Sequence, residues 1–162
     1  NAAGSLRLVA LSERPDLVPI VAAWGFGEWG HLAPGTTIAD RTERVRASMG
    51  PHAIPIIIVA LDGDGAPVGM ASLINDDLHG DSRNPWLASV YVPPQARRSG
   101  IGSHLVGAIE RLAVRFGYER LYLFTASVPQ LYARLGWQVL EERWYRGEHV
   151  TVMAKQLGAG HS

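Results

Sequence analysis

One stretch constrains this chain more than any other. The apolar run Leu87-Ala88-Ser89-Val90-Tyr91-Val92 reads as a buried strand, and the segment from His104 to Phe116 repeats its apolar positions at helical spacing. Between them lies Pro93-Pro94-Gln95-Ala96-Arg97-Arg98-Ser99-Gly100-Ile101-Gly102-Ser103. A strand therefore enters a loop of two arginines, a serine and two glycines, and a helix leaves it. Glycine permits positive φ and close backbone approach. The first N–H groups of a helix lack intrahelical acceptors, and the helix dipole adds positive potential at that end. Together these suit an anion such as a phosphate, with Arg97 and Arg98 as charged donors beside it. The plainer alternative is a strand-to-helix turn with solvated arginines. The coincidence of charge, glycines and helix start favours the anion site.

The remaining segments surround that stretch with one α+β domain, expected over residues 1–162 with its core from about 6 to 157. Leu6 to Leu11 reads as a first strand. A helix follows, with Ser12 as N-cap, Pro15 in its first turn and Leu17, Ile20, Val21 and Trp24 at helical spacing. Gly25, Gly27 and Gly30 are expected to break it. A second helix runs from Thr37 to about Met49, opened by a capping box in which Asp40 replaces the usual Glu. Strands Ile54–Leu61 and Val68–Ile74 flank a turn at Asp62-Gly63-Asp64-Gly65, with Gly69 expected to permit a close approach or a bulge. A polar loop from Asn75 to Pro85 precedes the strand Trp86–Val92. The helix after the glycines ends at Gly117, and Leu121–Thr125 is the next strand. Strand, crossover helix and strand make a parallel pair. A short helix capped by Ser127, and a hairpin of Trp137–Trp144 and Val150–Lys155 turning at Arg146-Gly147-Glu148, close a mixed, mostly antiparallel sheet.

Charge excludes some partners. Fifteen basic and fifteen acidic residues balance, so nothing favours nucleic acid or a membrane surface. No cysteine is present, which removes disulfides, thiolate metal sites and a catalytic thiol. His31, His52, His79 and His149 lack metal-ligand spacing, and no metal is expected. No run reaches membrane-spanning length and no secretory leader is read, so the expectation is a cytoplasmic protein.

Three phosphate ligands compete for the loop. The Walker pattern fails for want of a lysine. The dinucleotide fingerprint fails at its third glycine, where Leu105 stands, and the strand ending at Thr125 lacks the acid that binds a ribose. What remains is Arg97-x-x-Gly100-x-Gly102. This segment resembles motif A of the Gcn5-related N-acetyltransferases (GNAT), and Leu131-Tyr132-Ala133-Arg134-Leu135-Gly136-Trp137 resembles that family's Leu-Tyr-x-x-x-Gly-Phe signature, with Trp for Phe. The element order fits the family from about Leu6 to Leu157.

The resemblance implies the GNAT fold, with helices on both sheet faces and the parallel pair splayed at the cofactor site. It implies acetyl-CoA as acyl donor, with the backbone from Arg98 through Ser99, Gly100, Ile101 and Gly102 to Ser103 cradling the pyrophosphate beside Arg97. Val90, Tyr91 and Val92 would offer backbone groups to the pantetheine arm. Thr125 stands where the family often has an Asn that touches the cofactor. The implied reaction is direct attack of a primary amine, on a small molecule or peptide, upon the thioester. The alternative is a non-catalytic acyl-CoA-binding module, and an adenine-nucleotide binder is a third reading. Tyr132 is the candidate proton donor to the departing thiolate. On residues alone that role and a core aromatic are evenly matched, because Val128, Leu131, Tyr132 and Leu135 share a stripe; the resemblance tips it to function. For a base, Glu28, Asp76, Asp77 and His79 are candidates, with solvated loop side chains the simpler reading. Trp24, Glu28, Trp29, Asp76 and Asp77 are the substrate-side candidates, with Phe26, Trp144 and Tyr145 facing the same cleft; the acids lean toward a cationic acceptor. A monomer or a homodimer paired through the final hairpin is expected.

Overall fold

The computed structural model of the protein describes residues 6–30, 34–47, 55–75, 81–97 and 100–157. Strand β1 is Arg7–Ala10. Two 3-10 turns, Leu11–Glu13 and Pro15–Leu17, lead to helix α1, Val18–Trp29, and α2 is Ile38–Arg46. Strands β2 (Ile56–Leu61), β3 (Pro67–Ile74) and β4 (Trp86–Tyr91) follow. Then come α3 (Ile101–Arg115), β5 (Arg120–Thr125), α4 (Pro129–Arg134), β6 (Gln138–Tyr145) and β7 (Glu148–Gln156). The single sheet runs β1-β2-β3-β4-β5-β7-β6, and β4 with β5 is its one parallel pair. The expected fold class and element order hold. Among the described residues no helix is long and apolar enough to cross a membrane.

The sheet divides the core by strand alternation. On one face α3 sets Ile101, Leu105, Val106, Ile109 and Ala113 against Ala71, Leu73, Leu87, Leu121 and Leu123, and α4 adds Tyr132. On the other face α1 and α2 bury Val18, Val21, Ala22 and Val45 against Val59, Leu61 and Met70. That second face continues across β4, β5 and β7 as Trp86, Tyr122, Val152 and Ala154. Arg83 lies over the rings of Trp86 and Tyr122, 5.8 and 5.7 Å from their centroids. Its guanidinium also grips Asp81 at 2.6 Å and Glu141 at 2.8 Å, so arginine rather than a helix covers these aromatics.

Several local expectations are corrected. Helix α1 is not broken by its glycines but continues through Gly25 and Gly27 to Trp29. Each glycine costs roughly 1 kcal/mol in a helix interior, and burial of one face of α1 outweighs it. Ser12 caps nothing: its buried Oγ has no hydrogen-bond partner, and the helix starts only at Val18 with Pro19 in its first turn. Ser127 does not cap α4. Instead Thr125 Oγ1 accepts from the N–H groups of Ser127 and Val128 at 3.3 and 3.2 Å. The Thr37–Asp40 capping box is present in both directions, at 3.0 and 3.1 Å. Its helix ends at Arg46 with Ala47 as C-cap; Met49, like Ile54 at the expected start of β2, lies outside the described residues.

Gly69 is where the sheet and α3 meet most closely. A Cβ there would stand 2.9 Å from Leu105 Cδ1, 3.1 Å from Ile101 Cγ2 and 3.2 Å from the Tyr91 carbonyl oxygen. The helix that carries the glycine loop is thus pressed onto β3 by a missing side chain. Gly69→Ala is expected to cost about 1–3 kcal/mol through overpacking. Urea unfolding measures it, and an unchanged midpoint would show that α3 can retreat freely.

Candidate active site

Strand β4 carries the site because it leaves its neighbour. Its parallel pairing with β5 consists of one register position, Trp86 opposite Tyr122, supported by the Tyr122 N–H donating to the Pro85 carbonyl at 3.1 Å. From Leu87 onward the two strands share no ladder, although β5 remains paired to β7 as far as Thr125. The β4 edge from Leu87 to Tyr91 therefore has backbone groups facing a gap, and buried backbone groups require partners.

A bulge then re-aims the end of β4. Ser72 pairs with Ala88 and Met70 with Tyr91, so three steps on β4 oppose two on β3. Ser89 takes φ of 55°, the left-handed region that L side chains seldom adopt. Ser72 Oγ donates to the Ala88 carbonyl at 2.9 Å and holds that irregularity from within. Such an extra residue swaps the faces of everything beyond it. Val90 accordingly packs with the α3 face and Tyr91 with the α1 face. There the Tyr91 ring meets Trp24, 5.5 Å between centroids, and Trp29, 6.4 Å away edge-on. Two of the expected substrate-side residues are thus brought together on a third aromatic.

The glycine loop follows directly. Gly100 has φ of 82° and stands as N-cap of α3 without any side-chain cap. His104 N–H reaches the Gly100 carbonyl at 3.1 Å, which leaves the N–H groups of Ile101, Gly102 and Ser103 without intrahelical acceptors. A Cβ on Gly102 would meet nothing nearer than Val92 Cγ2 at 3.9 Å, so the first turn of α3 faces open space. A phosphate fits such a cradle. Arg97 folds back: its Nε donates to the Val92 carbonyl at 2.7 Å and its guanidinium lies 5.7 Å from the Tyr91 ring centroid. In this position it braces the end of β4. Arg98, Ser99, Asp76, Asp77 and His79 lie outside the described residues.

Tyr132 is 6% exposed, within the core cluster under α3. Its ring meets Trp137 edge-on at 6.2 Å, and Trp137 N–H donates to the Tyr132 carbonyl at 3.0 Å. Trp137 Nε1 and Lys155 Nζ both donate to Glu110, at 3.2 and 3.0 Å, and Lys155 also donates to the Leu135 carbonyl at 2.8 Å. These bonds tie α4 to α3 and β7. Burial pushes the Tyr132 phenol up to about 12. It stays protonated at neutral pH and is a donor, not a base.

Other expected residues fall elsewhere. Thr125 has its oxygen engaged at the start of α4. Glu28 is exposed on α1. Trp144 is 71% exposed, beside His149 at 5.8 Å. Tyr145 packs on Phe124 at 5.4 Å, on the same sheet face as Tyr91. A cleft lined by Glu110, Arg111, Val114, Lys155 and Leu157 lies toward the far end of α3 from the glycine cradle. Sequence reading missed Ser72, the turning of Tyr91 and the half-buried Arg41. For Arg41 a signal existed, because it precedes the buried Val45 by four residues and so shares its helix face.

Residues 21–137 match the family model described as the acetyltransferase (GNAT) family. No curated protein matches the chain. Among solved structures, an aminoglycoside 6'-acetyltransferase type Ii is similar at 21% identity and TM-score 0.71, covering 93% of this chain and 97% of its own. An aminoglycoside 6'-N-acetyltransferase complexed with coenzyme A is similar at 18% identity, TM-score 0.71, with the same coverage. An acetyltransferase of GNAT family from Streptococcus pneumoniae is similar at 17% identity and TM-score 0.70, covering 95% of this chain and 100% of its own.

The phenol supplies a pH test. A phenol in the unfolded chain ionises near pH ~10, whereas folded Tyr132 resists ionisation until about pH 12. Its stabilising preference is complete below the unfolded value and is lost as pH rises toward the folded one. Between about pH 10 and 12 the wild-type urea midpoint is expected to fall more steeply than that of Tyr132→Phe. Parallel slopes would mean that the phenol ionises in place.

Proposed function

The chain belongs to the acetyltransferase (GNAT) family and is an acyltransferase, and from this we propose that it transfers the acetyl group of acetyl-CoA to a primary amine of a small molecule or peptide, by direct attack of the amine on the thioester. The observation that carries this reading is the parting of β4 from β5 after a single paired residue, immediately before a glycine-led helix start. An open backbone edge and an anion cradle in series suit a long ligand with amides along its arm and a pyrophosphate beyond.

Bound acetyl-CoA supplies an activated acyl thioester. The chain's residues do the rest. The N–H groups of Ile101, Gly102 and Ser103 bind the pyrophosphate, and the backbone of Val90, Tyr91 and Val92 binds the amide-bearing arm, which excludes water from the gap. Backbone N–H near the bulge, held by Ser89 and Ser72, polarises the thioester carbonyl. Alignment of amine and carbonyl supplies a large part of the rate. Tyr132, kept neutral by its burial, donates its proton to the departing thiolate as the C–S bond breaks, and the proton shed by the newly acylated nitrogen returns through water to the phenolate, so that the net products are amide and free thiol. No carboxylate is assigned as base; an amine arriving neutral, or an ordered water, serves instead. Trp24, Trp29 and Tyr91 wall the acceptor side.

The test is release of free thiol from acetyl-CoA with a panel of amines. Gly102→Asp places a carboxylate in the cradle and is expected to abolish thermal stabilisation by acetyl-CoA. Tyr132→Phe is expected to retain that stabilisation while turnover falls about a hundredfold or more. Stabilisation without turnover on any amine would replace this reading with a non-catalytic acyl-CoA-binding module. Tighter binding of NAD or ATP than of coenzyme A would remove both.

A further inference from the structure

We propose that Arg41 is an anion-binding determinant of the acceptor pocket and that the amine acylated here carries a carboxylate, as an amino acid does. This rests on the acyl-transfer reading above and names the class of its acceptor. Helix α2 turns Val45 into the core beneath α1, and Arg41 lies one turn earlier on the same inward face. Its guanidinium lies directly over α1 at Gly25. A Cβ on Gly25 would stand 2.5 Å from Nη2, 2.7 Å from Nε and 2.9 Å from Cζ of Arg41. The glycine in α1 is thus the room the guanidinium occupies.

Arg41 is half-buried, and burial, reinforced by the charge of Arg44, pushes its pKa down. Among the described residues its guanidinium meets no carboxylate and donates no hydrogen bond; its backbone N–H donates to the Thr37 carbonyl at 3.1 Å. Burying a cation whose donors lack acceptors is costly. An arginine fork matches a carboxylate with two parallel bonds, so a ligand carboxylate supplies what the fold withholds.

The position places that carboxylate by the reaction. Gly25 and Trp29 are four residues apart on one face of α1. Trp29 and Trp24 rest on Tyr91, the last residue of β4, where β4 has already left β5. The guanidinium is therefore about one helical turn, ~5.4 Å along the axis, from the aromatic wall. Of the acids that lean toward a cationic acceptor, Glu28 is exposed and forms no ion pair with Arg41, and Asp76 and Asp77 lie outside the described residues; Asp81 is committed to Arg83 at 2.6 Å.

The test compares the full-length wild type with Arg41→Gln, Arg41→Lys and Gly25→Ala, the last of which displaces the guanidinium without removing it. Standard α-amino acids, β-alanine and γ-aminobutyrate are each set against their own amides, with acetyl-CoA as donor. Thermal midpoints with the same pairs are measured in the presence of coenzyme A. The wild type is expected to favour at least one acid over its amide tenfold or more in kcat/KM. Arg41→Gln is expected to bring that ratio close to one while the KM for acetyl-CoA and the turnover of the amide persist. Arg41→Lys should keep part of the preference, and Gly25→Ala should lose most of it. If no amine is acylated, the acyl-transfer reading fails on its own, and the midpoints decide this one. Stabilisation that requires both the carboxylate and Arg41 upholds it. No acid-over-amide preference in either measurement, or a preference that survives Arg41→Gln, overturns it. Should Arg41→Gln not fold, the Lys and Gly25→Ala variants carry the same comparison.

Discussion

Everything at the site depends on two parallel strands that touch at one place and separate. β4 and β5 share the Trp86–Tyr122 position and then diverge. A sheet normally satisfies its backbone by continuing its ladder, so a gap in the middle of seven strands is costly unless something fills it. The gap is held open from both sides. β4 is fastened to β3 through the bulge at Ser89 and the Ser72 hydroxyl, and β5 is fastened to β7 over its whole length. Neither strand can close on the other without breaking bonds on its outer side. The same separation leads β4 into the glycine loop, so edge and cradle are consecutive parts of one path.

The two faces of the sheet have different tasks around that path. Under α3 the packing is tight, as Gly69 shows, and the helix that presents the N–H cradle is fixed against β3. Under α1 and α2 the packing includes a half-buried cation and a cluster of three rings. In the proposed reaction the tight face would hold the acyl donor, and the looser face would select the acceptor. Beyond it the arginine-covered aromatics around Trp86 and Tyr122 complete the same side of the sheet.

Much of this was legible in the chain. The stripe through Ile101, Leu105, Ile109 and Ala113, the Thr37–Asp40 box and the crossover from β4 to β5 are local patterns, and local patterns survive folding. What escaped detection depended on contacts between distant segments. Arg41, from another helix, fills the space that Gly25 leaves on α1, whereas a Cβ at Gly27 would meet nothing within 4 Å. Tyr91 faces α1 only because Ser89 inserts a step into β4, and no propensity signals a left-handed serine. Thr125 Oγ1 accepts from the N–H groups of Ser127 and Val128, and α4 takes Val128 as its N-cap with no side-chain cap, so Ser127 is not at the capping position. The proposed acceptor side was the least legible, since its residues come from α1, α2 and the end of β4, with no common motif.

The placement of the five tryptophans gives the molecule a set of built-in optical reporters. Trp86 and Trp137 are buried on opposite sides of the sheet, one beneath an arginine and the other bonded to Glu110. Trp24 and Trp29 stand together on Tyr91, and Trp144 is in solvent. Emission from this chain is therefore a sum of blue-shifted core signals, a pair that reports on the surroundings of Tyr91, and one red-shifted signal from solvent. A change around Tyr91 and loosening of the core would alter different parts of one spectrum.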